Sequence, residues 1–207
     1  MRGKFIVLEG LDRSGKSTQV DRLIQRLEQD GPARLQKFPD RTTSIGKMID
    51  AYLQSKTEMD DRAIHLLFSA NRWECSKRIR EDIAKGITVV ADRYAFSGIA
   101  FSAAKGLPFD YCLAPDEGLP LPDVVINLSL SPEDAAKRGQ YGEEKYETLD
   151  MQERTRAQFK LVAREMERRH PGRWKDVDAA GSVEEVGERI RQVVGVEVDT
   201  ELGQLWM

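Results

Sequence analysis

The segment from Gly10 to Ser17 (GLDRSGKS) has the residue types and spacing of a phosphate-binding loop. It matches G-x-x-x-x-G-K-[ST], and it stands between an apolar segment typical of a strand and an amphipathic segment typical of a helix. Glycines let the backbone turn so that several N–H groups point at one phosphate group, next to the positive end of the following helix. Lys16 would place a charge at the β and γ phosphates, and the Ser17 hydroxyl would bind Mg²⁺. A chance glycine-rich turn is the alternative, but the position between strand and helix favours a nucleotide site.

Charged residues follow two further apolar segments. Asp92 and Arg93 come directly after Ile87–Ala91, and Arg41 follows the segment that ends at Phe38. Ligands bind open α/β sheets at the carboxyl ends of the strands, so we expect these side chains at the ligand edge. Asp92 could order Mg²⁺, Arg93 could neutralise a transferring phosphoryl group, and the fork of Arg41 suits a monophosphate. A strand-end salt bridge and a solvated surface arginine are the alternatives.

Phe68 and Arg72 lie four residues apart and share one face of a predicted helix. A flat ring can stack on a nucleobase while a guanidinium one turn later donates to a carbonyl oxygen. Core packing is the alternative for Phe68, because Ile64 and Leu67 lie on the same side. Periodicity by itself favours the core.

Two further features indicate a closing phosphotransfer site. Arg13 lies inside the phosphate-binding loop, where a long cation should point along the phosphates. The segment 138–147 (RGQYGEEKYE) has two glycines and dense charge and breaks every periodicity. It is interpreted as a lid that excludes water on closure, with a solvated charged loop as the alternative.

The rest of the chain alternates short apolar segments with longer amphipathic ones, the pattern of βα units on a parallel sheet. Strands are predicted at 5–8, 33–38, 87–91, 124–130 and 174–177. Helices are predicted at 17–29, 60–85, 131–138, 150–169 and 182–194. The tail after Gly195 has no clear pattern, although its Leu202, Leu205 and Trp206 could dock on the body.

Composition narrows the class of protein. The 207 residues suit one large domain or two small ones, with a single domain favoured, and a hydrophobic content of 40% is enough for a real core. A net charge of −3, from 32 basic and 35 acidic residues, gives no general affinity for nucleic acid or an anionic membrane. Cys75 and Cys112 form neither a disulfide framework nor a metal motif, which favours reduced thiols in the cytosol. The apolar run at the start is short for a signal peptide, and no segment approaches the roughly 18 apolar residues of a membrane helix. We therefore expect a soluble intracellular protein.

The motifs also narrow the class of nucleotide-binding protein. The guanine-reading N-K-x-D motif of GTPases occurs nowhere in the chain, and motors and helicases are usually longer. A small phosphotransferase remains, in which the loop holds ATP and nearby arginines hold a phosphorylated acceptor.

Taken together, the segments of this chain resemble the thymidylate kinase (dTMP kinase) family, and within that family they resemble the eukaryotic branch most. The matching segments extend from residue 8 to the end of the chain: LEGLDRSGKSTQ, FPDRTTSIGKMI, HLLFSANRWE, VVADRYAFSGIAFSAAKG, LPLPDVV, DAAKRG…EKYE, MQERTR and LGQLWM. The resemblance implies an α/β P-loop NTPase fold, a three-layer sandwich whose parallel sheet of about five strands is flanked by helices. It implies one nucleoside monophosphate kinase domain over 1–207, with a mobile lid at about 138–150. The implied activity is phosphorylation of dTMP to dTDP with MgATP, in dTTP biosynthesis.

The resemblance also assigns roles to residues. It implies that catalysis is carried by Arg13, Lys16, Asp92 and Arg93, and that Mg²⁺ is held by Ser17 and Asp92. It implies that ATP is bound by Asp12, Arg13, Ser14, Gly15, Lys16, Ser17, Thr18, Arg138 and Gly181. It implies that dTMP is bound by Asp12, Phe38, Arg41, Phe68, Arg72, Arg93, Tyr94, Ser97, Gly98, Phe101, Tyr146 and Gln152.

Several of these roles are specific. Asp12 would hold the 3′-hydroxyl, Phe68 would stack on thymine, and Arg72 would read its carbonyl. Tyr94 would crowd the 2′ position and disfavour ribonucleotides. The family often has a lysine near adenine after the last strand, but this chain has Asp-Ala-Ala-Gly there, and a backbone contact at Gly181 could serve instead.

The partners expected from the resemblance are ATP, dTMP and a second copy of the chain, with neither nucleic acid nor membrane. The location would be cytoplasmic, with nuclear or mitochondrial pools as alternatives. The nearest rival function is a deoxynucleoside kinase, and Arg41 argues against it because it suits an acceptor that already carries phosphate. A catalytically silent nucleotide-binding protein is the second rival, although it would be expected to have lost the lysine, the hydroxyl or the arginines.

Overall fold

The computed structural model describes residues 2–130, 145–146 and 148–207. Five parallel strands form one sheet in the order β2-β3-β1-β4-β5. The strands are β1 (Phe5–Gly10), β2 (Ala33–Lys37), β3 (Thr88–Asp92), β4 (Val124–Ser129) and β5 (Trp174–Asp178). The helices are α1 (Lys16–Asp30), α2 (Ser44–Leu53), α3 (Asp61–Ala84), α4 (Ala95–Ala104), α5 (Phe109–Leu113), α6 (Leu149–Arg169) and α7 (Val183–Val194), with a 3₁₀ turn at Ala114–Asp116.

The sheet is the middle of three layers, as β1 shows most clearly. Its residues alternate between the two faces, and all are buried. Phe5 and Val7 pack into a core shared with helices α3, α4 and α6, whereas Ile6 and Leu8 pack into a second core shared with α1 and α7. The predicted three-layer arrangement around a five-stranded parallel sheet is therefore confirmed.

The register of the sheet determines which side chains meet at its carboxyl edge. Leu8 on β1 is level with Asp92 on β3, and Gly10 is level with Leu128 on β4. The phosphate-binding loop and the Asp92–Arg93 pair therefore leave the sheet side by side, although about 80 residues separate them in sequence.

The predicted strands and long helices are confirmed to within a few residues at their ends, but α2, α4 and α5 were not predicted. Helix α4 (AFSGIAFSAA) explains why: every residue except Gly98 is buried, so the helix has no polar face and no amphipathic period. The predicted helix 131–138 lies outside the described residues.

The C-terminal tail docks on the body, as its apolar residues suggested. Leu205 and Trp206 are buried, and the Trp206 ring lies 5.8 Å from the ring of Phe96, edge to face. Backbone hydrogen bonds join the tail to the segment 118–121: the Gly118 N–H donates to the Leu205 carbonyl at 2.9 Å, and the Leu205 N–H donates to the Leu119 carbonyl at 2.8 Å. The tail thus fixes the segment 118–121.

Within the part of the chain that the structure describes, no helix combines the length and apolar character that crossing a membrane requires.

Candidate active site

A cleft of about 950 Å³ opens at the carboxyl edge of the sheet. Residues from the phosphate-binding loop, from the β2–α2 connection and from α3 and α4 line it together. Most of the predicted site residues are among them: Asp12, Arg13, Gly15, Lys16, Ser17, Thr18, Phe38, Arg41, Phe68, Arg72, Asp92, Arg93, Tyr94, Ser97, Gly98, Phe101 and Tyr146.

The phosphate-binding loop has the backbone geometry that its glycines predict. Gly15 caps α1 in the left-handed region at φ 85°, and Gly10 has φ 146°. A Cβ on Gly10 would lie 2.7 Å from the carbonyl oxygen of Leu128, so only glycine fits there. Arg13 has a backbone φ of 65° within the loop, an uncommon conformation for a residue other than glycine.

Lys16 lies at the base of the cleft, where its Nζ is 3.8 Å from the Asp92 Oδ1. Burial lowers the pKa of Lys16 to about 8, and the nearby Arg93 guanidinium adds to this effect. The carboxylates of Asp92 and Asp12 oppose the shift. An anionic phosphate in the cleft would add further negative charge beside Lys16 and favour its charged form.

The Arg93 guanidinium is fixed from several sides. It donates to the Asp12 carboxylate, to the Gly10 carbonyl at 3.1 Å and to the Ser97 Oγ at 3.1 Å. Its Cζ lies 5.6 Å from the centroid of the Phe101 ring. The Arg93 backbone is left-handed at φ 65°, and its N–H donates to the Leu8 carbonyl at 2.9 Å. The guanidinium is therefore oriented by the protein before any substrate binds.

Glu9 supports this arrangement and was missed by sequence reasoning. Its carboxylate is fully buried and accepts from the N–H groups of Tyr94 and Ser97 at 2.9 and 3.0 Å, and from the Ser97 hydroxyl. Burial raises the pKa of Glu9, although these donors oppose the shift. The carboxylate holds the first turn of α4, and Ser97 in turn holds Arg93. A charged residue in an otherwise apolar strand was the signal that could have indicated it.

Gln152 joins the phosphate-binding loop to Tyr146. Its Nε2 donates to the Asp12 Oδ2 at 2.8 Å and to the Tyr146 carbonyl at 3.0 Å, and its Oε1 accepts from the Asp12 N–H at 3.2 Å. Gln152 is not itself among the lining residues. Asp12 therefore lies between Arg93 on one side and Gln152 on the other.

Aromatic rings form part of the lining of the cleft. The Tyr146 ring stacks on the Phe101 ring with centroids 5.4 Å apart and planes at 23°. Phe68 is half-buried: it packs against a small core with Tyr146, and it also lines the cleft. Its two sequence interpretations, core and base pocket, are therefore compatible.

Arg41 and Tyr94 each have a second contact that sequence reasoning missed. Arg41, which lines the cleft, pairs with the Asp50 carboxylate on α2. The Tyr94 hydroxyl donates to the Pro120 carbonyl at 3.2 Å and points away into the protein, and burial raises the pKa of this phenol well above its usual value. The Tyr94 ring lies 5.5 Å from the Phe38 ring, and both residues line the cleft.

Three predicted ATP-site residues are not among the residues that line the cleft. Ser14 is buried within the loop, and Gly181 lies between β5 and α7 at φ 102°. Arg138 lies outside the described residues, as does most of the predicted lid. The roles of these residues stay predictions.

Comparison with known proteins gives one family. The family model described as "Thymidylate kinase" matches residues 8–190. A thymidylate kinase from Schizosaccharomyces pombe is 54% identical over 194 residues, covering 93% of this chain and 92% of its own. The human thymidylate kinase is 46% identical over 211 residues, covering 99% and 98%. The solved structure of thymidylate kinase from Candida albicans superimposes with a TM-score of 0.88 at 34% identity, covering 99% of this chain and 98% of that chain.

Proposed function

Since the chain belongs to the thymidylate kinase family, it is an ATP-dependent enzyme that phosphorylates dTMP in dTTP synthesis, and we propose which residues carry out the transfer. The observation that supports the assignment is the convergence of Lys16, Asp92 and Arg93 in one cleft, with Arg93 already fixed by three acceptors. A rigid cation at the point where charge develops is what phosphoryl transfer requires.

The reaction needs no general base, because the attacking oxygen belongs to the ionised 5′-phosphate of dTMP. That oxygen forms a bond to the γ-phosphorus of ATP, the bond to the β–γ bridging oxygen breaks, and ADP leaves with its electron pair. Lys16, Arg13 and Arg93 hold the phosphates in line and neutralise the charge that spreads over the transferred group.

The residues of the cleft fit a magnesium ion as the partner of ATP. Mg²⁺ in kinases is usually held by one or two carboxylates or hydroxyls together with substrate phosphates and water. Asp92 and the exposed Ser17 supply such a set beside Lys16, and the described residues contain no cluster of three acidic, histidine or cysteine ligands that would form a closed cage. The ion would help neutralise the β and γ phosphates.

The cleft also has residues that suit dTMP. We assign Asp12 to the 3′-hydroxyl, and Arg41 with Arg93 to the 5′-phosphate. Stacking of thymine on Phe68 is supported by that ring's half-exposed position beside Arg72. The remaining predicted contacts are at Phe38, Tyr94, Ser97, Gly98, Phe101 and Tyr146, which line the cleft, and at Gln152, which donates to Asp12.

The assigned activity is tested by ADP formation from MgATP with dTMP, dUMP, dCMP, UMP, AMP and thymidine offered in parallel. We expect turnover that strongly prefers dTMP. Activity on thymidine without activity on dTMP would identify a deoxynucleoside kinase instead. ATP binding without turnover of any acceptor would identify a silent nucleotide-binding protein.

ATP affinity should depend on pH through Lys16. The pKa of Lys16 in the folded protein is lowered to about 8, so the free enzyme loses this charge as the pH rises above that value. Binding of the ATP phosphates favours the charged form of Lys16. Above pH 8 the enzyme should therefore take up a proton when ATP binds. The dissociation constant for MgATP is expected to rise by up to about tenfold per pH unit above pH 8.

Calorimetric titration of MgATP between pH 7 and pH 9.5, in two buffers of different ionisation enthalpy, measures both the affinity and the proton uptake. Lys16→Arg is the matched control, since a guanidinium stays charged throughout this range and should abolish the proton uptake. Equal pH dependence in the two proteins would contradict the assignment to Lys16.

We also propose a cytoplasmic homodimer. Leu66 and Trp73 lie seven residues apart on α3, hence on one face, and both are exposed. Sedimentation equilibrium tests the dimer, and a monomer at micromolar concentration would contradict it.

The cytoplasmic location is supported by Cys75 and Cys112, which are free buried thiols of the kind that a reducing compartment favours. Imaging of the tagged chain tests this location.

A further inference from the structure

Arg72 belongs to a buried ion pair that sequence reasoning did not reveal. Its Nε donates to the Asp116 Oδ1 at 3.0 Å, and its NH2 group donates to the Asp116 Oδ2 at 2.7 Å. The Ser69 hydroxyl donates to the same carboxylate at 2.7 Å. Arg72 is 2% exposed and Asp116 is fully buried. A two-pronged contact of this kind fixes the plane of the guanidinium as well as its position.

The backbone of α4 confines the guanidinium from another side. A Cβ built on Gly98 would lie 2.9 Å from both the NH1 and NH2 nitrogens of Arg72. Gly98 and Arg72 both line the cleft. Any residue larger than glycine at position 98 would therefore displace a side chain that Asp116 holds in place.

The ion pair leaves one end of the guanidinium for a ligand. Asp116 engages Nε and NH2, and among the described residues NH1 has no hydrogen-bond partner. NH1 is only a donor, so it can pair with a carbonyl oxygen but not with an amino group. Asp116 also neutralises the charge of Arg72, which would be strongly unfavourable if it were buried without a partner. Since the charge of Arg72 is already paired, the ligand need not supply a counter-charge, and the pocket suits an uncharged base.

Asp116 is itself held by contacts that do not involve Arg72. The Leu119 N–H donates to the Asp116 carbonyl at 3.2 Å, and the Trp73 indole donates to the Pro115 carbonyl at 2.8 Å. Two residues further on, Gly118 is bonded to the C-terminal tail at Leu205. The backbone thus places the carboxylate, and the carboxylate orients the arginine.

We propose that Asp116 is the positioning residue that sets base selectivity, by holding Arg72 so that NH1 meets the carbonyl at C4 of the pyrimidine. Thymine and uracil have an oxygen at C4, whereas cytosine has an amino group there. This inference rests on the proposed function, because it assumes that the base of the acceptor lies against Arg72.

The test compares Asp116→Asn and Gly98→Ala with the unsubstituted protein, using dTMP and dCMP as acceptors. Asp116→Asn removes the charge and one acceptor, and Gly98→Ala displaces the guanidinium with every charge retained. For each variant we expect the KM for dTMP to rise by about tenfold or more, with a much smaller change in kcat. The ratio of kcat/KM for dTMP to that for dCMP should fall by at least about tenfold, and the KM for ATP should not change.

Asp110→Asn, at an exposed position on α5 outside the cleft, is the matched control and should behave like the unsubstituted protein. The double variant should show less than the product of the two single effects, because both substitutions act on the same guanidinium. Circular dichroism and thermal unfolding identify the variants that fold. If Asp116→Asn does not fold, Gly98→Ala still tests whether the position of the Arg72 guanidinium sets the base selectivity.

Folded variants whose selectivity for dTMP over dCMP matches that of the unsubstituted protein would overturn the proposal. A fall in kcat accompanied by equal rises in the KM for ATP and in the KM for dTMP would also overturn it, since such changes indicate general damage to the enzyme. Absence of dTMP turnover by the unsubstituted protein is a different result: it would overturn the proposed function, and this inference with it.

Discussion

Replacing Arg93 with alanine is expected to lower kcat by about three orders of magnitude, with only a small change in the dissociation constant for MgATP. The physical reason is preorganisation. Asp12, the Gly10 carbonyl and Ser97 hold the guanidinium before substrate binds, so no reorganisation is needed when charge develops on the transferring group. Alanine at this position removes a fixed charge that solvent water cannot replace in the same geometry.

Arg93→Lys is the matched control for this first substitution. Lysine keeps the charge but lacks the planar fork that reaches several acceptors at once, so we expect an intermediate kcat. Single-turnover kinetics measure the transfer step directly, and equilibrium binding of MgATP is measured beside it. A kcat for Arg93→Ala within tenfold of the original value would contradict the role of Arg93.

Replacing Arg13 with alanine should lower kcat by about two orders of magnitude or more, and again ATP binding should be nearly unchanged. The loop supplies backbone N–H groups and Lys16 to the phosphates in the ground state, so the contribution of Arg13 should appear mainly in the transition state. Equal losses in turnover and in ATP binding would contradict this assignment.

The conformation of Arg13 calls for a specific control. Its φ of 65° is uncommon for any residue with a Cβ, and alanine would retain that strain without the guanidinium. Arg13→Gly removes both the strain and the guanidinium. If the loss arises from the missing charge, the glycine and alanine variants should be equally impaired; an active glycine variant would show that backbone strain caused the effect.

The sequence determined the parts of this protein that depend on local pattern. The phosphate-binding loop, the apolar strands and the helices α1, α3, α6 and α7 are each specified by residues that are neighbours along the chain. The rule that ligands bind at the carboxyl ends of parallel strands then brings Lys16, Asp92 and Arg93 together without any coordinates.

The tertiary structure decided which partners the buried charged residues beside the cleft have. Glu9 meets Ser97 across 88 residues, and Arg72 meets Asp116 across 44. The only signal for Glu9 was a charge at the end of an apolar strand, and Asp116 lies in none of the matching segments, so the spacing of residues identified neither partner. Helix α4, which was not predicted, carries both Ser97, the partner of Glu9, and Gly98, which lies against Arg72. A charge can remain buried only where the fold supplies its counter-charge and hydrogen bonds, and those come from whichever distant segments the packing brings into contact.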